Sequence, residues 1–458
     1  MSALPKPPPP ALPAAELARR LAGSPYQGYA YAYPHKTAYA PLTPARALAD
    51  VWAGEPKRAL ELYVHVPFCS MRCGFCNLFT TVNAGGDAVS RVLAQLGAEA
   101  RAAAEALGPA QFARMAIGGG TPTFLDAGQL DLVLTVLSDT FGAGPGQVPT
   151  SVEASPDTVT AEKLAVLRRH GVGRLSLGVQ SFLDGEVRAL GRPQRRAVVE
   201  QALDRIAAAG FPTANIDLIY GIPGQTAASW LASLDAALQW RPGEIFLYPL
   251  YVRPLTGLAR RGSASVMSDT QPDIRLDLYR AGRDRLRGEG YEQVNMRCFR
   301  RSGAQASEHA RHHARTDGTL GLGCGARSTT SALHYSSEYA VGRAGVGEIL
   351  AAYLARPPES FRFAHFGVVL SPEDSRRAHI LLDLLEADGL SRDGYRDAFG
   401  ADVLHDAPQL GLLVDAGLAE VDRARIRLTE AGLERADTIG PWLYTAEVSS
   451  RMESFAWR

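Results

Sequence analysis

The chain has 458 residues, of which 46% are hydrophobic and 21% charged, so it is long enough for about three domains. This composition excludes a single small module and a chain that is disordered throughout. The 48 Lys and Arg residues balance the 48 Asp and Glu residues, which argues against a nucleic-acid partner, because non-specific binding of nucleic acid needs a basic surface.

The sequence contains no run of 18 or more apolar residues, and prolines lie where the apolar core of a secretion signal would be. We therefore expect a cytoplasmic protein without a membrane span. The five cysteines are too few for a disulfide framework, and three of them fall close together. Such clustering favours a metal site in a reducing compartment.

Residues 1–58 are predicted to form a flexible N-terminus followed by an aromatic arm. A short helix is expected at 14–21. The arm, residues 25–41, carries five tyrosines together with His35 and Lys36. It is too aromatic for a disordered tail, so we expect it to pack against the rest of the chain.

Residues 59–260 alternate between β-branched or aromatic runs and stretches with helical periodicity. Strands are predicted at 62–66, 114–117, 150–154, 174–179, 214–220 and 244–250, and helices at 87–107, 161–170, 196–209 and 227–239. This alternation is typical of βα units with a parallel sheet. The fold class is therefore α/β, an open (β/α)6 partial TIM barrel whose functional residues lie at the C-terminal ends of the strands.

The pattern changes beyond Pro254. Residues 261–365 are predicted to extend the barrel, with a helix at 273–289 and then an irregular region rich in Gly and His up to Gly347. Residues 366–458 are predicted to form an α-rich, winged-helix-like module. It comprises three helices, two short strands around a turn at 422–424, and a helix capped by Thr429.

A cluster of cysteines directly follows the first predicted strand of the barrel. Cys69, Cys73 and Cys76 have the spacing C-x3-C-x2-C. Three thiolates on one loop suit three corners of a cubane iron–sulfur cluster, which leaves one iron open for a small molecule.

The alternative is a structural zinc site, which requires four closed ligands. His65 is a candidate for the fourth ligand, although its place on the strand favours packing. Cys298 and Cys324 lie far away in sequence and are expected to be buried.

Further motifs follow the later strands. The glycines at 118–120 follow the second strand, where the missing Cβ atoms let the backbone approach a ligand closely. Glu153 ends the third strand, where its carboxylate can accept hydrogen bonds from a ribose or an amino group. Asp217 lies in an apolar strand and needs a partner, for which Arg192 is a candidate in a structural ion pair.

The cysteine spacing, the aromatic residue before the last cysteine, and Tyr-Val-His-Val-Pro-Phe-Cys at 63–69 resemble the radical S-adenosylmethionine (SAM) superfamily. Within it, the motif resembles the branch of the oxygen-independent coproporphyrinogen III oxidases, which also includes a haem chaperone and two-SAM methyltransferases. The resemblance covers roughly residues 24–300. It implies a [4Fe–4S] cluster on Cys69, Cys73 and Cys76, with SAM as cofactor.

The resemblance also implies which residues contact SAM. These are Tyr63, Phe75, Gly119, Gly120, Thr121, Glu153, Gln180, Arg192 and Asp217. Those that match contacts to a second SAM in the oxidase are Phe75, Gly120, Thr121, Gln180, Arg192 and Asp217. We therefore expect one SAM or two. The arm around His35 resembles one that covers the barrel mouth, and the turn beginning at Gly321 resembles a glycine-rich turn that lines the cavity.

The activity implied is generation of a 5′-deoxyadenosyl radical, with flavodoxin or ferredoxin as electron donor, to modify a tetrapyrrole or natural-product substrate. No catalytic side chain is predicted, because this chemistry needs no protein nucleophile. Three alternatives stay open: a haem chaperone with vestigial chemistry, a two-SAM C-methyltransferase, and a zinc-stabilised interaction protein.

The chain departs from both named activities of the branch. Leu78 stands where the oxidase has a further cysteine, and the haem motif of the chaperone is not found near His309. His309, His312 and His313 suggest a metal or haem site, with a solvated loop as the alternative.

Overall fold

In a computed structural model of the chain, the residues described are 13–30, 32–82, 84–262, 273–303 and 316–458. They form two compact units. The smaller unit holds the described residues up to Tyr33, Val294–Met296 and Arg376–Ala446, and the larger holds those of Pro34–Gln293, Arg297–Ser375 and Glu447–Arg458. The four segments predicted from the sequence are a different division, which stays a prediction.

The described strands are short and numerous, as expected for an α/β fold with edge extensions. In chain order they are β1 (Ala40–Ala47), β2 (Leu60–Val66), β3 (Phe68–Cys69), β4 (Thr81–Val82), β5 (Phe112–Gly119), β6 (Thr150–Ala154), β7 (Arg174–Gln180), β8 (Thr213–Tyr220), β9 (Glu244–Pro249), β10 (Tyr291–Gln293), β11 (Cys298–Arg301), β12 (Gly318–Leu322), β13 (Arg327–Thr329), β14 (Leu333–Ser336), β15 (Phe363–Val369), β16 (Leu390–Ser391), β17 (Ala419–Val421) and β18 (Arg425–Leu428).

Thirteen of these strands form one sheet in the larger unit, in the order β1-β15-β14-β13-β12-β2-β5-β6-β7-β8-β9-β11-β10. The central run from β12 to β9 is parallel, and the strands on either side of it are antiparallel. The six predicted barrel strands are confirmed as β2 and β5 to β9. Among the described strands the order has two ends, so the barrel is open, as predicted.

The prediction of an irregular region between the helix at 273–289 and Gly347 is wrong, because β10 to β14 lie there. Each of these strands has only three to five residues. Runs that short show too little alternation to be read from sequence. They are ordered by pairing with the sheet, and β12 adds a seventh parallel strand beside β2.

The helices of the barrel follow the predicted periodicity closely. The described α-helices are α1 (Pro13–Ala22), α2 (Leu48–Ala53), α3 (Gly86–Leu107), α4 (Ala127–Phe141), α5 (Ala161–Arg169), α6 (Asp184–Ala189), α7 (Arg196–Ala209), α8 (Ala227–Leu238), α9 (Gly257–Arg260), α10 (Arg275–Gly288), α11 (Arg343–Leu354), α12 (Pro372–Leu384), α13 (Arg392–Phe399), α14 (Val403–Asp406), α15 (Leu410–Asp415), α16 (Glu430–Leu433), α17 (Ala436–Trp442) and α18 (Ala446–Glu453). None of these helices is both long enough and apolar enough to cross a membrane.

The smaller unit is mainly helical, with a three-stranded sheet in the order β16-β18-β17. Thr429 caps α16 as predicted, since its side chain accepts a hydrogen bond from the backbone N–H of Gly432. The first part of the chain packs here too. The hydroxyl of Thr438 donates to the carbonyl of Pro25, and the indole of Trp442 donates to the carbonyl of Pro13.

Candidate functional site

The three clustered cysteines lie in the loop that follows β2, which we call the cluster loop (residues 69–79). Gly74 joins this loop to two later segments. Its N–H donates to the carbonyl of Leu190 at 2.9 Å, and its carbonyl accepts from the N–H of Leu258 at 2.7 Å. A Cβ on Gly74 would lie 2.6 Å from the Leu190 oxygen, so only glycine allows this approach. The loop is therefore held by backbone contacts on both sides.

All three sulfur atoms lie near hydrogen-bond donors, and the donor at Cys76 is the backbone N–H of Leu78. The Sγ of Cys69 is 3.1 Å from the hydroxyl of Thr80 and 3.4 Å from that of Thr121. The Sγ of Cys73 accepts from the guanidinium of Arg192 at 3.1 Å. Such donors stabilise thiolates and adjust the reduction potential of an iron–sulfur cluster.

The buried position of the cluster loop opposes free thiolates. Burial raises the pKa of Cys69, and it raises the pKa of Cys76 to about 12. A bound cationic group reverses this preference, because a thiol that coordinates metal loses its proton. Three thiols on one loop with donors at the sulfurs are a donor set that fits a [4Fe–4S] cluster.

The candidate fourth ligand of a zinc site is engaged elsewhere. His65 is buried, its Nε2 lies 2.8 Å from the carbonyl of Phe79, and its Nδ1 lies 3.3 Å from the hydroxyl of Tyr63. Cys298 and Cys324 are buried, as expected. Within the described ranges, no group of three or more His, Cys, Asp or Glu side chains is arranged to hold a single metal ion.

The glycines at 118–120 end β5 beside the cluster loop, and each position excludes a side chain. Cβ atoms there would lie 2.8 Å from the carboxylate of Glu153, 2.6 Å from the ring of His65 and 2.5 Å from the carbonyl of Phe68. Gly119 also has a φ of 109°, which strongly favours glycine. The motif thus brings backbone N–H groups close to both the cluster loop and Glu153.

The residues that alternate with apolar ones along the parallel strands form a polar inner face. Its members include Glu61, Tyr63, Arg114, Ser151, Glu153, Arg174, Ser176, Asn215, Asp217 and Glu244. Ion pairs join Arg114 to Glu61 at 3.1 Å and Arg174 to Glu244 at 2.8 Å at the N-terminal ends of the strands. Nearer the C-terminal ends, Glu153 and Asp217 accept hydrogen bonds, and no ion pair joins either of them to another described residue.

Glu153 is accessible to solvent along this inner face, yet protein surrounds it. Its carboxylate accepts from the N–H of Gly119 at 3.2 Å. The surrounding protein raises the pKa of Glu153 to about 7, and the charge of Asp217 adds to the rise. Burial raises the pKa of Asp217 as well. Two acids in one enclosed space suit a ligand that brings positive charge and hydroxyl donors, as SAM does.

The structural ion pair for which Arg192 and Asp217 were candidates does not form. Asp217 accepts from Asn215 at 2.8 Å and from Ser176 at 3.2 Å. Arg192 is buried and, besides the Cys73 sulfur, donates to Ser155, to the carbonyl of Gly178 and to Gln194. The turn after α6 points this guanidinium at the cluster loop, whereas Asp217 is satisfied by its own and the adjacent strand.

The structure therefore brings together Cys69 with Thr121, Cys73 with Arg192, and Gly119 with Glu153. Gln180 ends β7 with a φ of 71°, an unusual value for a residue with a side chain, next to an irregularity in strand register. Phe75 packs against an apolar cluster that includes Leu190 and Leu258. The roles predicted for these residues in binding SAM stay predictions.

Sequence reasoning missed several residues of this site. Thr80 contacts the Cys69 sulfur, and Ser176, Asn215 and Arg174 lie on the inner face with the acids. The last three alternate with apolar residues on β7 and β8, so period-two alternation of polar residues was the available signal. Thr80 has no such signal, because its contact depends on how the loop folds back.

The second part of the arm lies at the same end of the barrel. The ammonium of Lys36 donates to the carbonyl of Gly325, in the predicted glycine-rich turn. The ring of His35 packs edge-on against Tyr339, whose hydroxyl donates to the carbonyl of Asn77 in the cluster loop. His309, His312 and His313 lie outside the described residues.

Comparison with known proteins shows which proteins this chain is similar to. Residues 63–237 match the Radical SAM superfamily. The heme chaperone HemW of Mycobacterium tuberculosis is 32% identical over 252 residues, which are 55% of this chain and 64% of that protein. The oxygen-independent coproporphyrinogen III oxidase of Paracoccus denitrificans is 31% identical over 276 residues, 59% of this chain and 60% of that protein. The aligned region is thus less than two thirds of either relative.

Among solved structures, coproporphyrinogen III oxidase (HemN) from Escherichia coli matches with a TM-score of 0.74 and 24% identity. The aligned region covers 89% of this chain and 96% of the chain of that structure. The likeness shows a common fold, with the radical SAM part followed by a helical C-terminal part. Radical SAM proteins use a [4Fe–4S] cluster and SAM, and the donor set of the cluster loop fits the cluster. Residues 63–237 thus match a radical SAM domain, and the chain is similar in sequence to HemW heme chaperones and to oxygen-independent coproporphyrinogen III oxidases.

Proposed function

We propose that this chain is a radical SAM enzyme that acts on a tetrapyrrole or a related natural product. The observation that carries the proposal is the meeting of three thiols, a side-chain-free glycine motif and Glu153 at one end of an open barrel. When bound and reduced, the cluster supplies reductive cleavage of SAM to methionine and a 5′-deoxyadenosyl radical. The chain's own residues hold the cluster, bind and orient SAM, and restrict access to the site.

Different residues bind the cluster and orient SAM. Cys69, Cys73 and Cys76 hold the cluster, while Thr80 and Arg192 donate hydrogen bonds to two of the sulfurs. The glycine backbone at 118–120 packs closely beside the cluster loop and Glu153, where it contacts the methionine part of SAM. Glu153 accepts hydrogen bonds from the amino group or ribose of SAM.

The arm and the glycine-rich turn restrict access to this end of the barrel. Lys36 joins the arm to the turn, and Tyr339 joins the same region to the cluster loop. A closed site favours the reaction because it keeps water and oxygen away from a reactive radical. A tetrapyrrole substrate is supported by the coproporphyrinogen III oxidases among the relatives.

The proposal is tested by anaerobic reconstitution with iron and sulfide, followed by reduction with dithionite in the presence of SAM. The wild type should bind about four irons per chain and release 5′-deoxyadenosine and methionine. A variant with Cys69, Cys73 and Cys76 all changed to Ala should lose the iron and the activity. Cys298→Ala is the matched control and should keep both. Zinc in place of iron in the wild type would overturn the proposal in favour of a zinc-stabilised interaction protein.

A haem chaperone is the second candidate function, because HemW proteins are prominent among the relatives at comparable identity. A haem chaperone should show a stable visible absorption band when haem is added. It should not convert a porphyrinogen to a product in the presence of SAM. The enzyme predicts substrate-dependent consumption of SAM instead. Adding haem to one sample and a porphyrinogen with SAM to another separates the two functions.

Use of two SAM molecules, by an oxidase or a C-methyltransferase, is a further proposal. The hydrogen bonds of Arg192 bear on it, because this guanidinium already binds a sulfur, a hydroxyl, a carbonyl and an amide. A second SAM carboxylate would have to displace some of these partners. Anaerobic calorimetry should saturate near one equivalent of SAM if they persist and near two if they do not.

A further inference from the structure

One segment contacts the cluster loop on both sides of its second and third cysteines. We call residues 338–342 the bridge segment. The guanidinium of Arg72, before these two cysteines, donates to the carbonyl of Val341. The carbonyl of Asn77, after them, accepts from the hydroxyl of Tyr339 at 3.0 Å. The bridge segment is therefore bonded to both ends of the part of the loop that carries two of the three thiols.

Residues 454–458, which we call the tail, pack on the same bridge segment. The carbonyl of Arg458 accepts from the N–H of Val341 at 2.8 Å and from that of Gly342 at 2.9 Å. The guanidinium of Arg458 forms an ion pair with Glu338. A Cβ on Gly342 would lie 3.1 Å from the carbonyl carbon of Arg458, so the two segments are in close backbone contact.

Aromatic rings add to the contact between the tail and the bridge segment. The ring centre of Tyr339 lies 5.9 Å from that of Phe455 and 6.4 Å from that of Trp457. The two tail rings pack edge-on against each other at 5.4 Å. Aromatic pairs at such distances are stabilising beyond the area that they bury. The tail therefore holds the ring of the same tyrosine whose hydroxyl is bonded to the cluster loop.

The bridge segment is buried, whereas the tail lies at the surface. Tyr339 is 7% exposed, and Ala340 and Val341 are fully buried. Trp457 is 37% exposed, and Arg458 is exposed as well. Because the tail is the outer layer of this packing, substitutions in it can loosen the bridge segment locally while the rest of the unit stays folded.

The first cysteine of the loop is held by a different set of contacts. The Sγ of Cys69 lies near the hydroxyls of Thr80 and Thr121. The backbone N–H of Thr121 also donates to the carbonyl of Phe68 at 2.7 Å. A change in the tail should therefore reach the second and third cysteines and leave the first in place.

We propose that the tail is a positioning element, which acts through the bridge segment to keep Cys73 and Cys76 where a cluster binds them. The tail supplies no thiol of its own, so its effect passes through the hydrogen bonds of Arg72 and Asn77. This inference deepens the proposed function and rests on it for the identity of the cluster. Ligands that are held in place by surrounding contacts retain a metal group better than ligands that can move away.

The inference is tested on the full chain without cluster, by the rates at which its cysteines react with a thiol reagent at a fixed pH. Mass spectrometry identifies the labelled positions. A variant that carries both Phe455→Ala and Trp457→Ala removes the tail rings. The second and third cysteines of the loop should then react about 10-fold faster than in the wild type, because local opening exposes them more often.

Internal standards and further variants assign the effect. Cys69 and the buried Cys298 should react at their wild-type rates in the double variant. Tyr339→Phe keeps the ring but removes the bond to the loop, so it should accelerate the third cysteine without disturbing the tail. Arg451→Gln, which loses only an exposed ion pair within α18, is the matched control and should behave as wild type.

Two results would overturn the positioning role. Unchanged rates at the second and third cysteines in the double variant would show that the tail does not hold them. Equal acceleration of these cysteines and of the two internal standards would show a general loosening of the fold. If the double variant does not fold, the rate of the third cysteine in Tyr339→Phe decides the question alone.

Iron analysis separates this inference from the proposed function. After anaerobic reconstitution, the double variant should lose iron to a chelator about 10-fold faster than the wild type. If the wild type binds no iron but the thiol rates change as expected, the proposed function fails and the role of the tail in placing the cysteines stands. If the wild type binds iron and cleaves SAM but the thiol rates do not change, only the role of the tail fails.

Discussion

Glu153 and Asp217 are held on β6 and β8, with β7 between them, and both face the polar inner side of the sheet. Burial raises the pKa of both carboxyls, and a neighbouring acid adds to each rise: Asp217 acts on Glu153, and Glu244 acts on Asp217. The N–H of Gly119 and the charge of Arg174 act in the opposite direction on Glu153. The ionisation of Glu153 therefore depends on the charge of Asp217 and on the charge of whatever binds beside them.

We predict that SAM binds more tightly as the pH rises from about 6 to about 8, by up to about 10-fold, because Glu153 ionises near pH 7. Calorimetry on the reconstituted protein measures this, with Glu153→Gln as the comparison. The variant should bind SAM more weakly at the higher pH and should lose this part of the pH dependence, while its iron content stays unchanged. Identical pH profiles for the two proteins would exclude Glu153 from the SAM site.

The same carboxyl affects stability without ligand. Its pKa in the folded protein is raised from 4.5 to about 7. Between pH 4.5 and about 7 the folded state therefore binds more protons at Glu153 than the unfolded state does. The resulting contribution to the free energy of unfolding is fully present below about pH 4.5 and is lost as the pH rises through about 7. In thermal unfolding without SAM, Glu153→Gln should gain stability relative to the wild type as the pH rises through this range. A difference in stability between the two proteins that does not change with pH would contradict the raised pKa of Glu153.

Arg192 provides a second prediction, because its guanidinium donates to the Cys73 sulfur. Arg192→Gln should leave the cluster able to assemble but should shift its reduction potential to more negative values, since a nearby positive charge and a hydrogen bond favour the reduced form. Potentiometric titration followed by electron paramagnetic resonance measures the shift. Arg195→Gln, an exposed neighbour, is the matched control. An unchanged potential in Arg192→Gln would mean that the contact has no electronic effect.

The cluster loop is shaped by elements that are distant from it in sequence. The turn after α6 and the start of α9 each make one backbone hydrogen bond to Gly74. The motif at the end of β5 supports the other side of the loop, where the N–H of Thr121 donates to the carbonyl of Phe68 at 2.7 Å. Close backbone contacts of this kind explain why glycines, rather than bulky residues, accompany the cysteines.

We predict that Gly74→Ala destabilises the loop, because the added Cβ would lie 2.6 Å from the carbonyl oxygen of Leu190. Overpacking typically costs about 1–3 kcal/mol of stability. If the loop moves to relieve the clash, the cysteines are displaced and the protein should retain less iron. Iron analysis and thermal unfolding measure both effects. Gly185→Ala, in α6, is the control because its Cβ would meet nothing within 4 Å. It should keep its iron, and equal iron content in the two variants would refute the close packing at Gly74.

At the scale of the whole molecule, each compact unit includes one terminal segment: the described residues up to Tyr33 belong to the smaller unit, and Glu447–Arg458 belongs to the larger. In the smaller unit the residues up to Tyr33 pack with α17, as shown by the bonds of Thr438 and Trp442 and by a contact of 4.9 Å between the ring centres of Tyr33 and Tyr444. In the larger unit the carbonyl of Arg458 accepts from the N–H groups of Val341 and Gly342. The termini therefore contribute to packing that no local pattern describes.

Thr438→Val tests the packing in the smaller unit, because Thr438 is fully buried and its hydroxyl donates to the carbonyl of Pro25. The substitution keeps the shape and leaves that carbonyl without its donor, so we expect a loss of about 1–3 kcal/mol. Faster proteolysis between the first helix and the barrel should accompany the loss. Thr445→Val, which removes the 3.1 Å bond to Tyr33 in the same unit, should act in the same direction. Unchanged stability and proteolysis in both variants would show that the first part of the chain does not stabilise this unit.

The six βα units, the cluster loop and the cap at Thr429 were readable from the sequence, because each depends on local periodicity, spacing or capping chemistry. The family resemblance rested on the same local motifs. The partner of Arg192, the close approach at Gly74 and the seventh parallel strand were not readable. Each of them depends on which distant segments meet, and β12 is ordered only by its pairing with β2. Period and spacing are set by the covalent chain, whereas the inner face of the barrel and its charge pattern exist only once the strands lie side by side.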